Sequence, residues 1–140
     1  MVLAAAAVYL VLTWEGRPPA EDAAYREGDS GASEIARLFR ERQSGVVVEG
    51  AGAVEKLLSD DLVGSKHQRF ILRLASQRTI LVSHNIDLAP RLDSLRIGDE
   101  VQFRGQYEWN QRGGLIHWTH HDPGGERIGG WLRHDDRVYQ

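Results

Sequence analysis

The segment GGLIHWTHHDPGG, Gly113–Gly125, sets His117, His120, His121 and Asp122 within six residues, beside Trp118. Imidazoles and carboxylates ligate divalent cations, and an imidazole also exchanges protons near neutral pH. One reading is therefore a metal centre on His117, His120, His121 and Asp122, with a divalent metal as the only cofactor suggested. The spacing matches no metal motif such as H-E-x-x-H. In an extended strand His117 and His121 lie about 13 Å apart, so one ion could not reach both. Partners would have to come from other strands, with Glu108, His84 and His67 as candidates. A second reading is hydrolysis, as by a phosphodiesterase or nuclease. His117 and His121 would carry protons, with Glu108 and Asp122 beside them, but neither a serine nucleophile motif nor a phosphate loop accompanies them. A third reading is a binding surface. Arg69, Arg73 and Arg104 would take an anion, Trp109 and Trp118 (with Tyr107 and Trp131) would stack on a flat group, and His67, His84 and Asn85 would line the edge. The plain alternative is a polar barrel face whose histidines bond to their neighbours.

These side chains must be positioned by strands. HQRFILRLA alternates, with Gln68, Phe70, Leu72 and Leu74 on one face and His67, Arg69, Ile71 and Arg73 on the other. RTILVSHNI follows across a short turn. EVQFRGQYEWN places Val101, Phe103, Tyr107 and Trp109 inward and Gln102, Arg104, Gln106 and Glu108 outward. NQRGG is a hairpin turn into LIHWTHH. Continuing the alternation turns Ile116, Trp118 and His120 to the core and Leu115, His117, Thr119 and His121 outward, beside Arg104, Gln106 and Glu108. His67, Arg69 and Arg73 would extend the same surface. VVVEGAGAVEKLL is a long first strand, and Gly50 and Gly52 suggest a bulge or bend in it. Asn85 or Asp87 would cap the turn after the third strand. Ser59–Asp61 reads as an acidic turn. SEIARLFRERQSG reads as a helix capped by Ser33 and closed by Gly45, with Ile35, Leu38 and Phe39 on one face.

A long bent strand, two hairpins and a connection between the third and fourth strands make a mainly β chain. The layout is an OB-like five-stranded Greek-key barrel with an N-terminal helix. The tail, with Trp131, Leu132, Val138 and Tyr139, folds back as a hairpin. The 140 residues suit one domain, expected to span residues 33–140 after a linker at 15–32. A net charge of −3 disfavours nucleic-acid binding by overall charge, and the absence of cysteine removes disulfides, thiolate metal sites and cysteine nucleophiles. Val2–Trp14 is apolar without a break but short of a full membrane span. It reads as an export signal or weak anchor, although no basic residue precedes it.

GSKHQRFILRLAS, SHNIDLAPRLDSLRIGDEVQFRGQYEWNQRGGLIHWTHHDP and GWLRHDDRVYQ resemble a family of small bacterial proteins known as domain of unknown function three-four-six-five. The resemblance covers about Gln43–Gln140. It brings no reaction, but it implies export and a set of hallmark positions. These are His67, Gln68, Arg69, Phe70, His84, Asn85, Asp87, Tyr107, Glu108, Trp109, Asn110, His117, Trp118, His120, His121, Asp122, Trp131 and His134. The leading expectation is an exported module, periplasmic or anchored at the inner membrane facing the periplasm. It would bind a small anionic or flat ligand, such as a nucleotide or nucleic acid. Membrane contact would come only through residues 1–14. A metal-dependent hydrolase and a structural or partner-binding envelope protein are the alternatives.

Overall fold

A computed structural model describes residues 20–140, with side chains from Gly28 onward. The apolar segment Val2–Trp14 lies outside the described residues. Among those described, no helix is long and apolar enough to cross a membrane. The chain forms α1 (Ala20–Glu41), β1 (Val46–Leu57), β2 (His67–Leu74), β3 (Thr79–Asn85), β4 (Glu100–Glu108), β5 (Leu115–His117), β6 (Trp131–His134) and β7 (Arg137–Tyr139). Strands β1, β2, β3, β5 and β4 pair in that order, and β4 returns to β1 to close a five-stranded barrel. All barrel pairings are antiparallel except β3 with β5. The hairpin β6–β7 adds to the part of β4 that β5 leaves free, through the pairs Arg104↔Trp131, Phe103↔Leu132 and Gln102↔Arg133. It turns at Asp135 and Asp136, both at positive φ (48° and 59°), the backbone a tight two-residue hairpin requires.

The alternation in β2 and β4 does what it should. Phe70, Leu72, Leu74, Val101, Phe103 and Tyr107 fill the barrel and are essentially inaccessible. Burying side chains of this size stabilises the fold by roughly 2 kcal/mol each. Ala32, Ile35 and Leu38 of α1 join this core from one side, and Leu92 and Leu95 of the β3–β4 connection join it as well. The helix ends with Arg42 at φ 52°; Arg42 and Gln43 donate their N–H groups back to the carbonyls of Phe39 and Leu38, at 3.3 and 3.0 Å.

Three expectations fail. The linker assigned to 15–32 is helical from Ala20, so Ser33 lies inside the helix and does not cap it. Gly31, within that stretch, serves close packing. A Cβ on Gly31 would stand 2.1 Å from the Glu49 carbonyl oxygen and 2.7 Å from the Gly50 Cα. The helix backbone therefore rests directly on β1 where only glycine fits. In β1 the irregular register falls between Val54 and Lys56 and not at the glycines. Gly50 instead makes room for the Phe103 ring, and Gly52 for the Arg73 carbonyl. Finally, the last barrel strand stops at His117, four residues short of the expected end.

Candidate functional site

Trp118 ends β5 by adopting φ 56°, a left-handed conformation that costs a non-glycine residue of order 1–3 kcal/mol. The turn breaks the alternation at Trp118 and Thr119. Thr119 and His120, one expected outward and one inward, both become buried, at 0 and 2% exposure, while His121 is exposed. The chain loops out through Asp122–Ile128 and returns at Gly129–Gly130. There Gly130 donates its N–H to the His120 carbonyl at 2.7 Å. A Cβ on Gly130 would lie 1.9 Å from the Trp118 carbonyl oxygen and 2.6 Å from that of Arg104, so the loop closes against bare backbone.

The outer surface of β4, β5 and β6 carries a linked set of polar groups. Register places Gln106 opposite His117 and Arg104 opposite Trp131. The His117 Nε2–H donates to Glu108 Oε1 at 3.1 Å, leaving Nδ1 as an acceptor in the neutral ring. The Gln106 amide donates to the same Glu108 oxygen at 2.7 Å. Its carbonyl accepts from Arg127 Nη2 at 2.5 Å. The Gln106 amide, then the His117 and Ser44 contacts, hold the Glu108 carboxyl below its ordinary pKa against a smaller opposing effect of burial. The Arg127 guanidinium also lies 4.1 Å from the centre of the Trp118 ring, and the His120 ring lies 4.6 Å away. The Trp118 indole N–H is buried without an acceptor. Arg104 donates to the Gly129 carbonyl at 2.8 Å and to Glu49 at 3.3 Å. Trp131 is half-buried, with the guanidiniums of Arg133 and Arg104 at 5.6 and 6.0 Å from its ring centre.

The other expected residues are elsewhere. His84 is fully buried. Its Nε2–H donates to the Pro90 carbonyl at 2.9 Å, and the Thr119 hydroxyl donates to its Nδ1 at 2.7 Å. Burial is the main reason its pKa is pushed down to about 4; His120 and His67 lower it further, and the Pro90 bond partly opposes the shift. His84 is thus a neutral strut joining the end of β3, the β3–β4 connection and the segment after β5. His67 donates Nδ1–H to the Ser65 carbonyl. Arg69 spends Nε and Nη2 on the Ser59 carbonyl, at 3.0 and 2.9 Å. Arg73 pairs with Glu55 and the Gln77 carbonyl. Asn85 caps the following turn by accepting from the N–H groups of Asp87 and Leu88, as expected. Trp109, expected in line with the core, lies past the end of β4. It stacks on Phe39 of α1 at 6.3 Å, donates its indole N–H to the Phe39 carbonyl and braces helix to barrel.

The proposed surface is therefore two surfaces. β2 is separated from β4 by β1 on one side and by β3 and β5 on the other. The three-histidine metal set does not assemble either. His117 goes to Glu108, and His120 turns inward and donates to the His121 carbonyl. Asp122 accepts three N–H groups of its own loop, from Gly124, Glu126 and Arg127, which depress its pKa. Among the described residues no three of His, Asp and Glu converge in a metal-binding arrangement. A cleft of about 680 Å³ opens between Gly28, the middle of β1 and the β2–β3 turn, but of the expected site residues only Arg73 lines it.

Sequence reading missed Arg127 and Arg133 at the site, and took His134 only as a hallmark. His134 is buried and donates to Asp99 at 2.7 Å, tying the hairpin to the start of β4. For Arg127 the one available signal was Gly129–Gly130, which brings the loop back over β5.

The chain belongs to the family described as protein of unknown function (DUF3465), whose model matches residues 24–140. No curated protein matches it.

Proposed function

We propose that this DUF3465 chain is an exported binding module of the cell envelope, periplasmic or attached at the inner membrane, for a small flat or anionic ligand. The ligand contacts the β4–β5–β6 face. One observation carries the reading: Arg127, from a loop that no regular element supports, is stacked on Trp118 and joined through Gln106 to the Glu108–His117 pair. Planar polar groups fixed beside aromatic rings are what recognition of a flat polar ligand uses. The β2–β3 face, where OB barrels commonly take nucleic acid, offers Ile71 and Leu81 between Arg69 and Arg73 and no aromatic ring.

Titration of the protein with adenosine monophosphate and with a single-stranded oligonucleotide tests the reading, alongside Arg104→Ala, Arg127→Ala and, as the control on the far face, Arg69→Ala. Binding weakened by the first two and untouched by the third supports it. Binding indifferent to all three would remove its basis.

A further inference from the structure

We propose that the ligand of the β4–β5–β6 face is a glycan, a chain of hydroxyl-rich sugar rings carrying little charge. The proposal rests on the binding face assigned above and puts a neutral, hydroxyl-rich ligand on it in place of the flat or anionic one named there.

Charge decides against a phosphate backbone. The face sets Arg104, Arg127 and Arg133 against Glu49 and Glu108. Arg104 donates to Glu49 and to a carbonyl, and Arg127 is engaged by Gln106. Arg133 borders a recess of about 290 Å³ that it shares with Asp99, Glu100, Asp135 and Asp136. Nucleic acid is bound by cations that neutralise several phosphates, and a polyanion laid along β6 would meet four carboxylates.

The hydrogen-bonding groups suit hydroxyls. Arg127 and the Gln106 amide are donors, while Glu108 and Nδ1 of His117 are acceptors, all in one linked row. A hydroxyl donates and accepts at once and can use both kinds, whereas a phosphate oxygen can only accept.

The aromatic groups suit a sugar ring. Trp118 is covered by Arg127 at 4.1 Å and His120 at 4.6 Å. Trp131 has its nearest guanidiniums at 5.6 and 6.0 Å, so its ring is the more open platform. It stands opposite Arg104, one row from Gln106 and His117, about 7 Å along β4. One glycan chain would lay a ring on Trp131 and present the hydroxyls of the next ring to Gln106, Glu108 and His117.

The test is calorimetric titration of the full chain with two neutral probes, a β-1,4-linked hexasaccharide of N-acetylglucosamine and cellohexaose, and with a single-stranded oligothymidylate, each at low and physiological salt. At least one saccharide should bind with an affinity that salt leaves within about twofold, since no counterions are released. Trp131→Ala should weaken it about tenfold or more, and Gln106→Ala about fivefold. Trp131→Phe, which keeps an aromatic face, should retain most of it and show that the alanine effect is not misfolding. Oligothymidylate binding that falls steeply with salt, with both saccharides inert, would overturn the glycan assignment and leave the binding face standing. Saccharide binding unaffected by Trp131→Ala would also overturn it. No binding by any probe would remove both.

Discussion

The two flanks of the barrel carry similar arginines, tied to carbonyls and carboxylates on both, and differ in the aromatic rings beside them. On β2 and β3, Arg69 and Arg73 fasten a loop and a neighbouring strand, and the surface between them is aliphatic. On β4, β5 and β6, Arg104 and Arg127 lie beside Trp131 and Trp118, and Arg127 joins a Gln–Glu–His row through Gln106. An arginine read from sequence is only a stock of donors. What it does depends on whether an aromatic ring stands within reach as well as a carbonyl, and that is set by topology. The β6–β7 hairpin makes the difference, because it adds Trp131 beside Arg104 and brings the 122–128 loop over the end of β5.

Breaking the β4 flank at its backbone should have the largest effect. Gly130→Ala forces a methyl group against two carbonyl oxygens, and chemical denaturation should show a loss of about 3 kcal/mol, with the Trp118 environment disturbed. Acid should have nearly as large an effect through the strut that both flanks share. In the folded protein His84 stays neutral down to about pH 4, whereas in the unfolded chain it takes up its proton near 6.5. The unfolded state therefore binds more protons within that window, and stability rises with pH across it. The contribution is complete above about 6.5 and is lost as pH falls toward 4, by about 3 kcal/mol. Urea denaturation from pH 4.5 to 7.5 should show this slope, and His84→Gln should flatten it.

Two smaller effects sharpen the contrast between the flanks. Arg69→Ala removes two bonds to the Ser59 carbonyl and should cost about 1 kcal/mol of stability while leaving ligand affinity unchanged. Arg127→Ala should do the reverse, moving stability by less than about 0.5 kcal/mol and weakening ligand binding roughly tenfold, read by denaturation and calorimetry on one preparation.

The barrel was legible in the sequence because strand alternation is a local signal. The inward set of β2 and β4, the OB-like order and the terminal hairpin all follow from period-two patterning and turn residues. Gly31 misled because the need for it comes from β1, some twenty residues away, and a glycine fitted against another backbone looks like a glycine in a linker. The histidines of this segment face as alternation places them, and the facing fails at Trp118 and Thr119. Nothing local marks Trp118 as left-handed, so the burial of Thr119, expected outward, had no signal in the sequence. His117 was placed correctly because it precedes the break. Arg127 and Arg133 were invisible as site residues because their neighbours are set by where the hairpin docks.

The central claim is that the ligand meets β4–β5–β6 and not β2–β3. Amide and indole NMR shifts on a ¹⁵N-labelled chain, followed during titration with the N-acetylglucosamine hexasaccharide and with adenosine monophosphate, test it most directly. The expected result is movement at Gln106, His117, Arg127 and the Trp131 indole N–H, with Arg69, Ile71, Arg73 and Leu81 still. Shifts concentrated on Arg69–Arg73 and Leu81, with Trp131 unmoved, would contradict it.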